Sequence, residues 1–227
     1  FSIAGTAGWM SAQVIGAISV GVVALYIFIV RQLKLKQPML EFRVFHSSMF
    51  AVTTILSVLV FAIMVGTQTL LPIYAQDVVS FTALESGLML LPGALIMGFM
   101  SPVTGRVFDK FGGKWLSVSG FTLITTALVL YANLSLETSI VWIATIFFIM
   151  MIGVSMMMMP LMTAGINDLP AHLIAHGTAM SNTIRMVGGS IGTAILVSVM
   201  SNASLQTSIQ PTTQATMDGI QNAFLIA

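Results

Sequence analysis

The chain has 227 residues, of which 57% are hydrophobic and only 7% are Asp, Glu, Lys or Arg. A soluble domain carries about 25% charged residues, so this composition indicates an integral membrane protein with the lipid bilayer as its first partner. The net charge of +1 gives no reason to expect nucleic-acid binding. The absence of cysteine excludes disulfides and thiolate chemistry.

Long apolar runs divide the chain into predicted membrane spans. A helical span needs about 20 mainly apolar residues, and these runs show no alternation of the kind that marks barrel strands. The sequence therefore predicts an all-α, polytopic transmembrane helix bundle. Six spans are expected at residues 9–30, 48–72, 84–104, 115–132, 139–162 and 178–201, and the start of a seventh near Gly219.

The connections between spans alternate in charge. Lys and Arg concentrate after the first span (31–43) and after the third (101–115), whereas the connections after the second and fourth spans carry none. By the positive-inside rule the two basic connections are cytoplasmic, which places the N-terminus outside. Because the chain starts with Phe1 and its seventh apolar segment stops at Ala227, we expect it to be a fragment of a longer protein.

The second basic connection contains a glycine-flanked aspartate. The stretch GRVFDKFGGK spaces a glycine, an acid and cations so that glycines permit a tight turn and lysines lie at headgroup level. Taken alone, it could be only a basic anchoring turn. The residues singled out, hereafter the 105–114 motif, are Gly105, Arg106, Asp109, Lys110, Gly112, Gly113 and Lys114.

This motif resembles the G-x-x-x-D-[RK]-x-G-x-[RK] turn of major facilitator superfamily transporters. The stretches KLKQPMLEFRVFHSSMF, LESGLMLLPGALIMGFMSPVTGRVFDKFG and NDLPAHLIAHGTAMSNTIRMVGGSIGTAI are similar to segments of its fourteen-helix drug:proton antiporter branch (EmrB/QacA-like). The resemblance implies a linker transmembrane helix and amphipathic segment at 1–47. It also implies a C-terminal six-helix half at 48–227, with its last helix truncated.

The same resemblance implies a function. In that family two halves rock about a central cavity, so Asp109 would be a gate residue whose partner belongs to an N-terminal half. The expected activity is proton-coupled export of small hydrophobic or cationic drugs across a cell membrane, most simply the bacterial inner membrane. A major facilitator carrier of a polar metabolite is the alternative. No carboxylate lies deep within a span, so proton coupling is implied by the resemblance alone.

Arg185 is the one cation outside the basic connections, at the start of the sixth span. An arginine at the bilayer centre costs about 2.5–3.5 kcal/mol in insertion measurements. Its side chain could snorkel to the headgroups, or it could pair with a carboxylate of a substrate or gate. Three small residues follow on one helix surface, where they favour close packing and possible coupling to a sliding neighbour: Gly188, Gly189 and Gly192.

The pseudo-symmetry implied by the resemblance makes the second and fifth spans line the cavity. Candidate wall residues are Met64, Thr67, Gln68, Met157 and Asn182; the methionine run around Met157 could equally face lipid or pack within the bundle. His172 and His176 are spaced for a shared metal but have no third ligand nearby. No metal site, cofactor or enzymatic activity is therefore expected.

Overall fold

A computed structural model describes residues 11–35, 41–135, 138–206 and 213–226. Within these residues the chain is helical and contains no strand, so the all-α prediction is confirmed. The α-helices are α1 (Ala12–Lys34), α2 (Ser48–Ile73), α3 (Ala83–Phe111), α4 (Gly113–Ala132), α5 (Ile140–Asn167), α6 (Ile174–Gln206) and α7 (Thr213–Ile226). A π-helical turn, Tyr74–Val78, extends α2.

Capping side chains define where several helices begin. Ser47 and Ser139 accept hydrogen bonds from the backbone N–H groups in the first turns of α2 and α5. At α3 the cap is reciprocal, because the Glu85 N–H donates to Thr82 Oγ1 and the Thr82 N–H donates to Glu85 Oε2 at 2.8 Å. Such caps satisfy amide groups that have no partner within the helix.

Several helices are longer than the apolar runs predicted. The third span was expected to end at 104 and the fifth at 162, but α3 continues to Phe111 and α5 to Asn167. The sixth helix starts at Ile174 rather than 178, and α7 starts at Thr213 rather than near Gly219. Hydropathy identifies only the segment of a helix that favours the hydrocarbon layer. The backbone hydrogen bonds of the same helix continue into the polar residues at its ends. The first two residues of the span predicted at 9–30 lie outside the described residues.

The bundle is organised around α5, which packs against α2, α3 and α4. Beside this group α2 packs on α6, and α7 lies against α6 and α4. The core between them is apolar and methionine-rich, and includes Met89, Phe147, Met150, Met151 and Leu70. By contrast, α1 makes few contacts with the other helices, and its Val20 and Tyr26 side chains are exposed.

Polar contacts join helix ends at opposite faces of the bundle. At one face the Ser47 hydroxyl donates to the Asp168 carboxylate, which joins the start of α2 to the end of α5. At the other, Tyr74 Oη donates to the Ser135 carbonyl at 2.8 Å, and Gln221 Nε2 donates to the Leu134 carbonyl at 2.7 Å.

A second apolar cluster lies at the Ser47 face. The short 3₁₀ helix Phe42–His46 directs Val44 inward against Phe50, Leu169 and Leu173. The amphipathic segment before α2 is thereby attached to the α5–α6 connection, so the two connections at this face form one packed surface.

Among the described residues, six helices, α1 to α6, are long and apolar enough to cross a membrane. Many of their large apolar side chains point outward, among them Phe99, Phe121 and Val141. An exposed apolar surface of this extent is unfavourable in water and favourable in lipid. The chain is a multi-pass membrane protein.

Candidate functional site

The 105–114 motif is almost entirely helical. Because α3 runs to Phe111 and α4 starts at Gly113, the predicted loop is reduced to Gly112. Gly112 has φ +76° and ψ 171°, a conformation essentially restricted to glycine. Reversing the chain within one residue brings the cations of the motif to a single corner of the bundle.

Asp109 lies on the last turn of α3 with its side chain exposed. Within the part of the chain that the structure describes, its carboxylate forms no ion pair or hydrogen bond. Arg106, Lys110 and Lys114 are exposed as well, and Lys110 Nζ lies 5.3 Å from the centre of the Phe111 ring. The acid is therefore free to contact a group outside this bundle.

The close helix approach in this region occurs at Gly113 rather than at Gly105. A Cβ built on Gly113 would lie 3.2 Å from Cβ of Pro160 on α5, tighter than most real contacts. A Cβ built on Gly105 would lie 3.6 Å from Cε of Met159, which is an ordinary distance. Among the described helices the close approach is thus at Gly113, and the role of Gly105 in the motif stays a prediction.

The residues Gly188, Gly189 and Gly192 of α6 all lie against α2. Gly188 faces Val58, Gly192 faces Ala62, and a Cβ built on Gly189 would lie 2.7 Å from the Phe61 ring. On the other helix, Gly66 of α2 packs against the side chain of Leu196 of α6. With no space for a Cβ on either side, the two helices are fixed in one register.

The Arg185 side chain bonds within the bundle. Its Nη2 donates to Asn182 Oδ1 at 2.8 Å, its Nη1 lies 3.7 Å from Met158 Sδ, and its guanidinium carbon is 5.2 Å from the centre of the Phe61 ring. The Nε–H is buried and has no acceptor among the described residues. Whether Arg185 snorkels to the headgroups or pairs with a carboxylate stays a prediction.

Arg185 lines a cavity of about 220 Å³ between α3, α5 and α6. Its other polar lining residues are Ser101, Thr104 and Ser155, and four methionines complete the wall: Met97, Met158, Met159 and Met162. The three hydroxyls were not predicted from the sequence, and the predicted wall methionine on α5, Met157, lies one residue before Met158 of this wall. The sequence feature that could have indicated this polar wall is the spacing of two hydroxyl residues on α3, at positions 101 and 104.

The candidate wall residues do not share one surface. Asn182 is beside Arg185, whereas Met64 and Thr67 are buried in the core and Gln68 is exposed. Met157 lines a separate apolar cavity of about 490 Å³ bordered by α2, α4, α6 and α7. Asn182 bonds Arg185 but does not itself line the arginine cavity, and the role of the five residues in transport stays a prediction.

The fold is that of a helical, multi-pass membrane protein, and comparison with known proteins gives its family. Residues 2–193 match the Major Facilitator Superfamily, so the chain belongs to this superfamily.

Named relatives are bacterial. The chain is 52% identical over 227 residues to the uncharacterized MFS-type transporter YcnB of Bacillus subtilis, covering 100% of this chain and 48% of that protein. It is 41% identical over 231 residues to the lincomycin resistance protein LmrB of Bacillus subtilis, covering 98% of this chain and 48% of that protein. It is 30% identical over 184 residues to the multidrug export protein EmrB of Haemophilus influenzae, covering 78% and 35% respectively. The chain thus spans about half the length, or less, of these relatives.

Proposed function

We propose that this chain is the C-terminal half of a secondary transporter that exports hydrophobic or cationic drugs by alternating access, driven by protons. The observation that carries the proposal is similarity along 98% of the chain to a protein named for lincomycin resistance. The relative named for multidrug export points to the same activity. Transport rather than catalysis also accords with a superfamily of membrane transporters.

The packing of the bundle supports movement as one body. Glycines pack α6 closely against side chains of α2. Two other glycines pack the backbone of α4 directly against the backbone of α5. Packed interiors of this kind transmit displacement instead of deforming. Alternating access by two such bodies needs only the contacts between them to change.

Asp109 is the proposed gate contact. Its exposed carboxylate and the surrounding cations lie at the α3–α4 corner with no partner in the described bundle. A helix N-terminus or arginine of the other half would bind this carboxylate in one state of the cycle and release it in the other. We assign the basic residues of the corner to the cytoplasmic side of a bacterial inner membrane.

Efflux from cells tests the proposal directly. The complete gene is expressed in bacteria that lack their own multidrug exporters, and ethidium efflux and lincomycin sensitivity are measured with and without a protonophore. We expect efflux and raised resistance, both abolished when the proton gradient collapses. Neither activity, with the protein present in the membrane at normal abundance, would contradict drug export and favour a carrier of polar metabolites.

A further inference from the structure

The cavity at Arg185 contains positive charge and hydrogen-bond donors without matching acceptors. Among the residues whose side chains are described, no carboxylate pairs with this guanidinium, and Nε has no acceptor. The contacts it makes are to an amide oxygen, a thioether and an aromatic face. None of these groups carries the negative charge that would neutralise an arginine away from water.

Thr104 supplies a second unused donor to the same cavity. Its side chain is 1% exposed, and its Oγ1 forms no hydrogen bond among the described residues. Many hydroxyls in the spans donate to carbonyls of their own helices, as Ser155 Oγ does to Met151 O at 2.9 Å. Thr67 and Tyr131 also have buried hydroxyls without a partner among the described residues, but Thr104 is the one of the three that lines the arginine cavity. A buried hydroxyl that forgoes this bond loses stability unless another acceptor is supplied.

The cavity lies two to three helical turns in from the ends of α3 and α6 at one face of the bundle. Arg185 is eleven residues into α6, or about 16 Å at 1.5 Å per residue. Thr104 is seven residues before the end of α3, about two turns in from the same face. A bound group with oxygen acceptors would satisfy both donors at this position.

The chemistry of the wall indicates what that group is. Arginine is suited to planar oxygen acids because its N–H donors match a carboxylate in pairs. The methionine side chains around it are apolar, polarizable and adaptable to varied shapes. The cavity volume of about 220 Å³ is below the 300–1,000 Å³ or so that encloses a drug-sized molecule, so the cavity holds one end of a ligand.

We propose that this cavity binds the carboxylate of an apolar monocarboxylate, with Arg185 and Thr104 as donors and the methionine wall against the apolar part. This site goes beyond the proposed export of hydrophobic or cationic drugs, since it selects an anion. Its test measures binding without transport, so a failure of drug efflux and a failure of this site give separate results.

The experiment compares two probes that differ in charge at one group. The complete protein is purified into nanodiscs of zwitterionic lipid, and equilibrium binding of radiolabelled 1-naphthoate is measured against its uncharged amide, 1-naphthamide. Empty nanodiscs correct for partition into lipid. We expect saturable binding of the carboxylate, about tenfold or more tighter than the amide, as one charge-assisted hydrogen bond would give.

Variants assign the binding to these residues. Arg185→Gln is expected to abolish the preference for the carboxylate, and Thr104→Val, which keeps the shape, to weaken carboxylate binding by about threefold to tenfold. Arg43→Gln is the matched control, because it removes an exposed arginine that pairs with Glu41 and lies far along the chain from the cavity. We expect this variant to leave the affinities for 1-naphthoate and 1-naphthamide unchanged. Since Arg185→Gln could fail to fold, Thr104→Val and Arg185→Lys provide the same test with smaller changes.

Three outcomes would overturn the proposal. Equal affinity for acid and amide, or no saturable binding in the wild-type protein, would show that no free carboxylate site exists. Displacement of 1-naphthoate when anionic phosphatidylglycerol is added to the nanodiscs, provided it depends on Arg185, would assign the cavity to a lipid phosphate. A preference for the carboxylate that survives Arg185→Gln would place the site elsewhere.

Discussion

Gly120 of α4 and Gly153 of α5 lie backbone against backbone. A Cβ built on Gly120 would lie 2.7 Å from the carbonyl oxygen of Gly153, and a Cβ built on Gly153 would lie 2.8 Å from that of Gly120. A carbonyl oxygen cannot move aside as a flexible side chain can. The contact therefore sets how closely the two helices approach.

Replacing either glycine by alanine should separate α4 from α5. We expect Gly120→Ala and Gly153→Ala to destabilise the protein by about 1–3 kcal/mol, the usual cost of overpacking, despite alanine's better helix propensity. The midpoint of thermal unfolding in detergent, followed by size-exclusion fluorescence, measures the effect. Gly21→Ala on α1 is the control, because its Cβ would meet nothing within 4 Å. Unchanged midpoints for both core variants would contradict the described approach.

The single-residue turn depends on Gly112. At φ +76° and ψ 171° any side chain is strained, by about 1–3 kcal/mol, so Gly112→Ala should lower the unfolding midpoint. Gly105→Ala, where the nearest atom to a Cβ is 3.6 Å away, should leave this midpoint within error. A larger loss at Gly105 than at Gly112 would show that the turn is formed differently.

Asp109 is expected to matter for transport and not for folding. Its carboxylate is exposed and unpaired within the described bundle, so Asp109→Asn should preserve membrane abundance and the unfolding midpoint. We expect the initial rate of ethidium efflux to fall about tenfold, as loss of about 1.4 kcal/mol from a charge-assisted contact would give. Asp77→Asn, which changes an exposed acid at the other face, is the control. Normal efflux by Asp109→Asn would leave the motif as a membrane anchor only.

Ser47 performs two tasks with one hydroxyl. Its Oγ accepts a hydrogen bond from the Phe50 N–H at 2.9 Å and donates to the Asp168 carboxylate. Ser47→Ala should therefore cost more than the roughly 1 kcal/mol typical of a lost helix cap. Ser139→Ala is the matched comparison, since Ser139 caps α5 through the Trp142 N–H alone.

A double-mutant cycle isolates the second task of Ser47. Combining Ser47→Ala with Asp168→Ala should give a smaller loss of stability than the sum of the single changes, because each single change already removes the same hydrogen bond. Strict additivity of the unfolding free energies would show that the Ser47–Asp168 bond contributes nothing.

Much of the helical framework could be predicted from the sequence. The second and fourth spans were expected at 48–72 and 115–132 and occur at Ser48–Ile73 and Gly113–Ala132, because apolar length and a cap or turn residue define both. The ends of α3 and α5 were missed by several residues. Their last turns contain polar or charged residues, which end a span predicted from hydropathy but do not end a helix.

The candidate site was less predictable. Arg185 and Asn182 were identified separately, but their contact and the unused Thr104 hydroxyl depend on which faces of α3, α5 and α6 meet. The close contact of Gly113 was not predictable for the same reason, since its neighbour is Pro160, 47 residues further along the chain.

The sequence by itself determined that this chain is a helical membrane protein of the major facilitator type, because hydrocarbon requires long apolar helices and the 105–114 motif marks the family. Only the tertiary structure decided which helix lies beside which and which polar groups have partners. Helix pairing in a bilayer is selected by the fit of small and large side chains across an interface. That fit, and the unneutralised charge left at Arg185, exist only after the helices have packed.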